Sequence, residues 1–228
     1  MASVGILAAG AAHEINNPIA YALSNVQVLG DYVEALDDPD TDVEFVRKDA
    51  KELIDETLDG LLRVKDIVRD VQGFARRSHD ETNDADINGI IQSTLNMLEN
   101  QLKYHREVEL DLGELPAVSC DAGKISQVFL NIILNASQSI EDKGKIAIHS
   151  QRLGDFILVQ IADNGPGISE ANIDKLFTPF FTTKDVGEGK GLGLYVCYSI
   201  IKEHHGDIQV KSCPGRGSTF SITLPIGS

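Results

Sequence analysis

Residues 163–194 read "DNGPGISEANIDKLFTPFFTTKDVGEGKGLGL", and the fold turns on how this stretch is read. An alternating run, "FILVQIAD" (156–163), leads into it and reads as a strand. A helix, "GLGLYVCYSIIKEHHG" (191–206), leads out of it, entered through glycines and left through Gly206. Asp163 stands at the strand end, and Gly165 and Gly167 flank a proline. That makes a tight turn whose backbone is open to a flat ligand, with a carboxylate able to accept from an exocyclic amine. An ordinary Asn-Gly turn is the plainer alternative. The glycine-dense segment 187–194 holds Gly189, Gly191, Leu192 and Gly193 at the mouth of the helix. Bare backbone and helix N-terminal N–H groups there suit phosphate oxygens. It is not a Walker A loop, and it lacks the βαβ context of a dinucleotide fingerprint. Between the two turns, Phe177, Phe180 and Phe181 gather in a chain with only 6% aromatics, as an apolar hinge for a lid or as local core.

Upstream, "NIILN" places Asn131 and Asn135 one turn apart on a helix that spans 121–142, with Asp121 as N-cap. Asparagine is a poor residue for a helix interior, so two in phase suggest a polar task. An amide oxygen suits Mg²⁺, and a buried hydrogen-bonded pair is the alternative. A helix is expected over 87–105, capped by Asp86, and strands over 108–113, 145–153, 156–163, 207–213 and 218–225. Helices interleaved with mostly antiparallel strands give an α+β fold, here a sandwich with one helical layer.

The first third has a different texture. Residues 43–75 carry Val43, Val46, Ala50, Leu53, Thr57, Leu61, Val64, Val68, Val71 and Ala75 at steps of three and four, with one repeated four. Such a stripe is a bundle seam. With the helix before the acidic turn "LDDPDTDV" (36–43), it makes an antiparallel hairpin. Two hairpins would bury the remaining apolar surface as a dimeric four-helix bundle; packing within the chain is the alternative. The polar segment 76–86 breaks the stripe, so the expected domains are residues 1–80 and 81–228. Inside the first helix, "HEINNP" (13–18) begins like a zinc-protease motif, but Asn17 stands where the second histidine belongs and Pro18 follows. Pro18 removes the N–H that would bond the Glu14 carbonyl, so a kink is expected there.

Composition narrows the possibilities. Net charge is −15 over 228 residues, which argues against a nucleic-acid footprint. Three scattered cysteines, Cys120, Cys197 and Cys213, read as reduced thiols of a cytoplasm-like compartment. The apolar start "MASVGILAAGAA" lacks a basic flank and is too short to cross a bilayer, so no membrane contact is expected of these residues. Anchoring of any parent chain is left open.

Taken in order, paired asparagines, Asp-x-Gly-x-Gly, a Phe-rich segment and Gly-x-Gly-x-Gly, the chain resembles the bacterial two-component sensor histidine kinases. Asn131 and Asn135 match their N box, and Asp163, Gly165 and Gly167 the G1 box. Phe177 to Phe181 match the F box, and Gly189, Gly191 and Gly193 the G2 box. "GRGSTF" (215–220) looks like the last glycine-bearing element, with Thr219 near the base, and "HEINNP" looks like the H box. The resemblance implies a dimerisation and phosphotransfer hairpin followed by an ATP-binding domain of the gyrase and MutL type. It implies ATP and Mg²⁺ as ligands, with Asn135 on the metal, and a homodimer that serves a response-regulator receiver domain. It implies His13 as phosphoryl acceptor, Glu14 as its base, and Asn17 as the residue orienting a hydrolytic water. Gln138 stands where some relatives carry a basic residue near the phosphates, which leaves Lys184 or Lys190 for that contact. A nucleotide-binding regulatory module, a phosphatase-only core and a gyrase-like ATPase are the competing readings.

Overall fold

The computed structural model describes residues 2–75, 83–102, 106–140, 143–184 and 191–227. The chain divides into two compact units, Met1–Arg77 and Ser78–Ser228.

The first unit is a pair of long helices, α1 (Ala2–Ala35) and α2 (Val43–Ala75). Asp42 caps α2: its Oδ1 accepts from the N–H groups of Glu44 and Phe45, both at 3.1 Å. Thr41 Oγ1 donates to the Ala35 carbonyl at 2.6 Å and closes the turn. The Tyr32 hydroxyl donates to Asp49 at 2.7 Å, Asn25 reaches Glu56 at 3.2 Å, and Pro18 packs against Gly60. Numbers fall on one helix as they rise on the other, so the pair is antiparallel.

The expected seam is corrected in one respect. Val46 is buried, and Ala50, Leu53, Thr57, Gly60 and Val64 are half-buried, leading to fully buried Ile67. These positions alternate steps of four and three without a fault, as a heptad seam should. The expected stripe stepped from Thr57 to Leu61 instead, and from there Leu61 and Val68 lie on the exposed side. The seam passes through Gly60, which an apolar pattern cannot see. The side chains of Val71 and Ala75 lie outside the described residues. Helix α1 runs continuously through Pro18.

The second unit begins with β1 (Asn83–Ala85), α3 (Ile87–Met97), α4 (Glu99–Leu102) and β2 (Arg106–Leu112). It continues with β3 (Val118–Cys120), α5 (Ala122–Ser139), β4 (Gly144–Leu153) and β5 (Phe156–Asp163). Then follow α6 (Glu170–Ile173), α7 (Gly193–Glu203), β6 (Asp207–Ser212) and β7 (Ser218–Pro225). The main sheet has the order β2-β4-β5-β7-β6, antiparallel except where β2 runs parallel to β4. That parallel pair needs a crossover, and α5 lies within it. Strands β1 and β3 form a separate two-stranded ribbon.

Alternation along the strands sends Ile146, Ile148, Ile157, Val159, Ile161, Phe220, Ile222 and Leu224 to one face. Helices α3, α5 and α7 cover it through Ile91, Phe129, Ile132, Ile133 and Ile201. A fully buried aliphatic side chain contributes about 1.5–3 kcal/mol, so this layer holds the unit together. Buried Ser150 is satisfied by donating to Asn88 at 2.8 Å, and Asn88 in turn donates to the Gly113 carbonyl at 2.8 Å.

Both expected caps sit before their helices, but only one works as a cap. Asp121 Oδ1 accepts from Gly123 N–H at 3.0 Å and Lys124 N–H at 3.1 Å. Asp86 makes no side-chain bond to α3. The helix expected to reach residue 105 ends at Met97, and buried Leu98 separates it from α4.

His204, to which sequence gave no role, has one. Its Nδ1 lies 2.8 Å from the Ile200 carbonyl, which can only accept, so Nδ1 carries the proton. Nε2 then accepts from Asp121 N–H at 3.0 Å and clips the end of α7 to the start of α5.

Candidate functional site

Asp163 is the last residue of β5 and shares its parity with Ile157, Val159 and Ile161, so it faces the helical layer. Desolvation raises its pKa above the usual carboxylate range, opposed by backbone N–H groups of Gly165 and Ser218. The Gly165 N–H reaches Oδ1 at 2.8 Å. Desolvation outweighs these bonds, so a further donor from outside would stabilise the charge of this half-buried carboxylate.

The turn around it is braced from two sides. A Cβ on Gly165 would sit 2.8 Å from Ser139 Oγ of α5, and one on Gly167 would sit 2.2 Å from the Cys213 carbonyl. Ser212 Oγ accepts from Ile168 N–H at 2.8 Å and lies 3.0 Å from Ser218 Oγ. The Gly215 N–H donates to the Pro166 carbonyl at 2.7 Å.

The paired asparagines of α5 divide their labour. Asn131 donates to the Gly193 carbonyl at 3.4 Å, so it fastens α5 to the start of α7. Among the described residues, the Asn135 amide has no hydrogen-bond partner. It is half-buried one turn further along the same face.

The mouth of α7 completes the frame. Gly191 has φ 63°, and a Cβ there would lie 2.3 Å from the Phe180 carbonyl carbon. Phe180 itself has φ 65°, a conformation that costs a residue with a side chain about 1–2 kcal/mol and is held by its surroundings. Phe177 meets Tyr198 of α7 at 5.6 Å between ring centroids. The Phe-rich segment therefore lies against the glycines and α7. Leu192 buries its side chain and offers only its main chain; the N–H groups that open a helix have no partner within it. Lys184, at the far end of the segment, donates from Nζ to Gln138 Oε1 at 2.5 Å.

Asn135, Asp163, Gly165, Gly167, Lys184, Gly191, Leu192 and Gly193 are thus gathered between the second half of α5, the end of β5 and the mouth of α7. Thr219 is not brought here. Its parity on β7 is opposite to that of Phe220 and Ile222, and it pairs with Ala162. Its neighbour Ser218 is paired with Asp163 instead, buried, on the site face. The motif "GRGSTF" held the signal, but a one-residue shift in register decides between Ser218 and Thr219. Gly189 and Lys190 lie outside the described residues, as do the side chains of His13 and Glu14. Asn17 is exposed on α1.

The donor set fits a nucleotide: a half-buried carboxylate, backbone approach at the glycines, helix N–H groups and a lysine. It also fits Mg²⁺ held lightly. The described residues hold no cluster of three or more His, Cys, Asp or Glu, so such an ion would rest on Asn135, phosphate oxygens and water.

Comparison with known proteins agrees with this frame. Residues 120–228 match the model of the histidine kinase-, DNA gyrase B- and HSP90-like ATPase family. The chain is 32% identical to the sensor histidine kinase ZraS of Escherichia coli over 99% of its length and 46% of the relative's. It is 34% identical to the signal transduction histidine-protein kinase AtoS of the same organism, over 99% of its length and 35% of the relative's. The chain thus spans about half, or less, of these curated relatives. A solved catalytic domain of the histidine kinase ThkA, 98% of which is covered by 64% of this chain, is 30% identical with a TM-score of 0.58. ThkA in complex with the response regulator protein TrrA aligns over 99% of this chain, with 26% identity and a TM-score of 0.69. The chain belongs to the histidine kinases, with an α+β ATPase unit following a helical hairpin.

Proposed function

We propose that this chain is the catalytic core of an ATP-dependent protein-histidine kinase that phosphorylates His13 and passes the phosphoryl group to an aspartate of a response-regulator receiver domain. Two observations carry the reading: Asp163 is a half-buried carboxylate whose desolvation outweighs its backbone bonds, and the half-buried Asn135 amide has no hydrogen-bond partner among the described residues.

Each residue has a task. Asp163 accepts the exocyclic amine of the base, with Ser218 beside it in place of Thr219. Gly165 and Gly167 let the ring lie against the backbone. The mouth of α7 receives phosphate oxygens through Gly191, Leu192 and Gly193, with Gly189 before them. Mg²⁺, held by Asn135, would neutralise charge on the β- and γ-oxygens. The Nε2 lone pair of His13 attacks the γ-phosphorus, the bond to the β–γ bridging oxygen breaks, and ADP leaves with that electron pair. Glu14 takes or shares the proton of the other ring nitrogen.

Asn17 is one turn from His13 on α1, exposed, and able to orient a water against the phosphorylated regulator. The same face would then serve a phosphatase step. The complex of ThkA with TrrA supports a receiver domain as the partner. The exposed apolar side chains of α2, Ile54, Leu58, Leu61 and Leu62, support a homodimer closing a four-helix bundle. No helix among the described residues is long and apolar enough to cross a membrane.

The test is the fate of the γ-phosphate. With Mg²⁺ and γ-labelled ATP, label should be carried on the protein, and Asn135→Ala or Asp163→Asn should abolish it. Free phosphate without labelled protein would instead mean an ATPase, and the kinase reading would fall.

A further inference from the structure

Helix α5 ends on the turn that carries Gly165. Ser139 lies one turn beyond Asn135 on the same face. A Cβ on Gly165 would sit 2.8 Å from Ser139 Oγ and 3.5 Å from Ile140 Cγ1. Ile140 is buried and closes the helix with an extended backbone, φ −86° and ψ 123°. Gly165 in turn gives its N–H to Asp163 Oδ1 at 2.8 Å. The aim of that carboxylate therefore depends on how firmly the last turn of α5 is held.

The last turn does not hold itself. The final carbonyls of a helix have no partner within it, and this end has no basic side chain of its own to meet them. The bonds come from β2. Arg106 is the first residue of that strand and shares its parity with Val108 and Leu112, which pack on the core, so it faces the helical layer. Its Nε donates to the Ser137 carbonyl at 2.9 Å, and its Nη2 to the same carbonyl at 2.6 Å and to the Ile140 carbonyl at 2.5 Å. A planar guanidinium that spans two carbonyls fixes direction as well as distance, and its charge suits the negative end of a helix. The phosphate end of the site has a separate anchor, because Asn131 in the middle of α5 donates to the Gly193 carbonyl at 3.4 Å. Arg106 thus bears on the turn around Asp163 and not on the mouth of α7.

We infer that Arg106 is a positioning residue that holds the last turn of α5 against Gly165 and so aims the Asp163 carboxylate at the exocyclic amine of the base. This rests on the nucleotide reading above and adds a residue that lies outside its motifs.

The test reads base preference at equilibrium, without turnover. ADP and inosine diphosphate, which carries a carbonyl in place of the exocyclic amine, are titrated against the whole chain, and the ratio of their Kd values is taken. The wild type should favour ADP. Arg106→Ala should lower that preference about 3-fold or more, the size of a coupling within one bonded network. The loss should fall on ADP, with inosine diphosphate bound nearly as before. Arg106→Lys keeps the charge and reaches one carbonyl, so it should lose less, and it is read in the same way if the alanine variant unfolds. In Asp163→Ala no carboxylate is left to aim. There the two nucleotides should bind nearly alike, and adding either Arg106 substitution should not move the ratio further. A ratio unmoved in both Arg106 variants overturns the inference, as does an equal loss for both nucleotides or a further drop on top of Asp163→Ala. A wild-type chain that binds neither nucleotide, or both alike, overturns instead the nucleotide reading on which the inference stands.

Discussion

Asp163 is a carboxylate kept partly out of water by the fold that needs its charge. Because its folded pKa is raised, the folded chain binds that proton more tightly than the unfolded chain. Its contribution to stability is therefore present at low pH and is lost as pH rises through the folded value. Asp163→Asn keeps an acceptor for the Gly165 N–H and removes the buried charge. At pH 7 the variant should melt no lower than the wild type, and the difference should vanish below about pH 3.5, where the carboxyl is neutral in both states. Nucleotide affinity should fall roughly 10- to 150-fold, the worth of a hydrogen bond to a charged group. Titration calorimetry and thermal melts read the two effects separately. The thiols make a second case. Burial pushes Cys197 up to about 12 and Cys120 up to about 11, while Cys213 is exposed. Maleimide should label Cys213 alone in the native chain and all three after denaturation. Asp163 and Asn135 stand out in the sequence through the order of the motifs they belong to, since each alone has a plainer reading as a turn residue or a buried amide. Ser218 does not, since it differs from Thr219 only by strand parity, and parity is fixed by the ladder with β5.

At the scale of elements, the two glycines at the mouth of α7 should behave oppositely. Gly191 cannot take a Cβ, being at φ 63° and against the Phe180 backbone. Gly193 can: the nearest heavy atom of Asn131 would be 3.8 Å away, an ordinary contact. Gly193→Ala should leave the melting temperature within about 2 °C, yet weaken nucleotide binding if phosphate approaches that backbone. Gly191→Ala should lower both. In the hairpin, a Cβ on Gly60 would meet Pro18 at 3.5 Å, so Gly60→Ala adds helix propensity without a clash. It should stabilise the hairpin by up to about 1 kcal/mol, measured by denaturant unfolding. The same glycine explains why the seam was misread. Hydrophobic periodicity places apolar residues, and a seam that passes through a glycine leaves a gap that a neighbouring leucine fills on paper. The strands were legible to within one or two residues because alternation is their own signature. The β1–β3 ribbon was not, since three residues are too few to alternate.

For the whole molecule, the apolar face of α2 that α1 does not cover asks for a partner, and a second copy is the proposed one. Leu58 is 53% exposed and Ile54 47%. Leu58→Glu should weaken self-association by roughly 10-fold or more, since each such side chain buried at an interface contributes about 1.5–3 kcal/mol. Sedimentation equilibrium measures this, and nucleotide affinity of the second unit should not change. The kinase reading joins two units that share no chemistry unless His13 receives what the second unit binds. The direct measurement compares wild type with His13→Gln, each given Mg²⁺ and γ-labelled ATP after their ATP affinities have been shown equal. The expected result is label on the wild type that survives alkali and is lost in acid, as a phosphoimidazole is, and no label on the variant. Label that persists in His13→Gln, or a wild type that binds ATP and carries none, would contradict it.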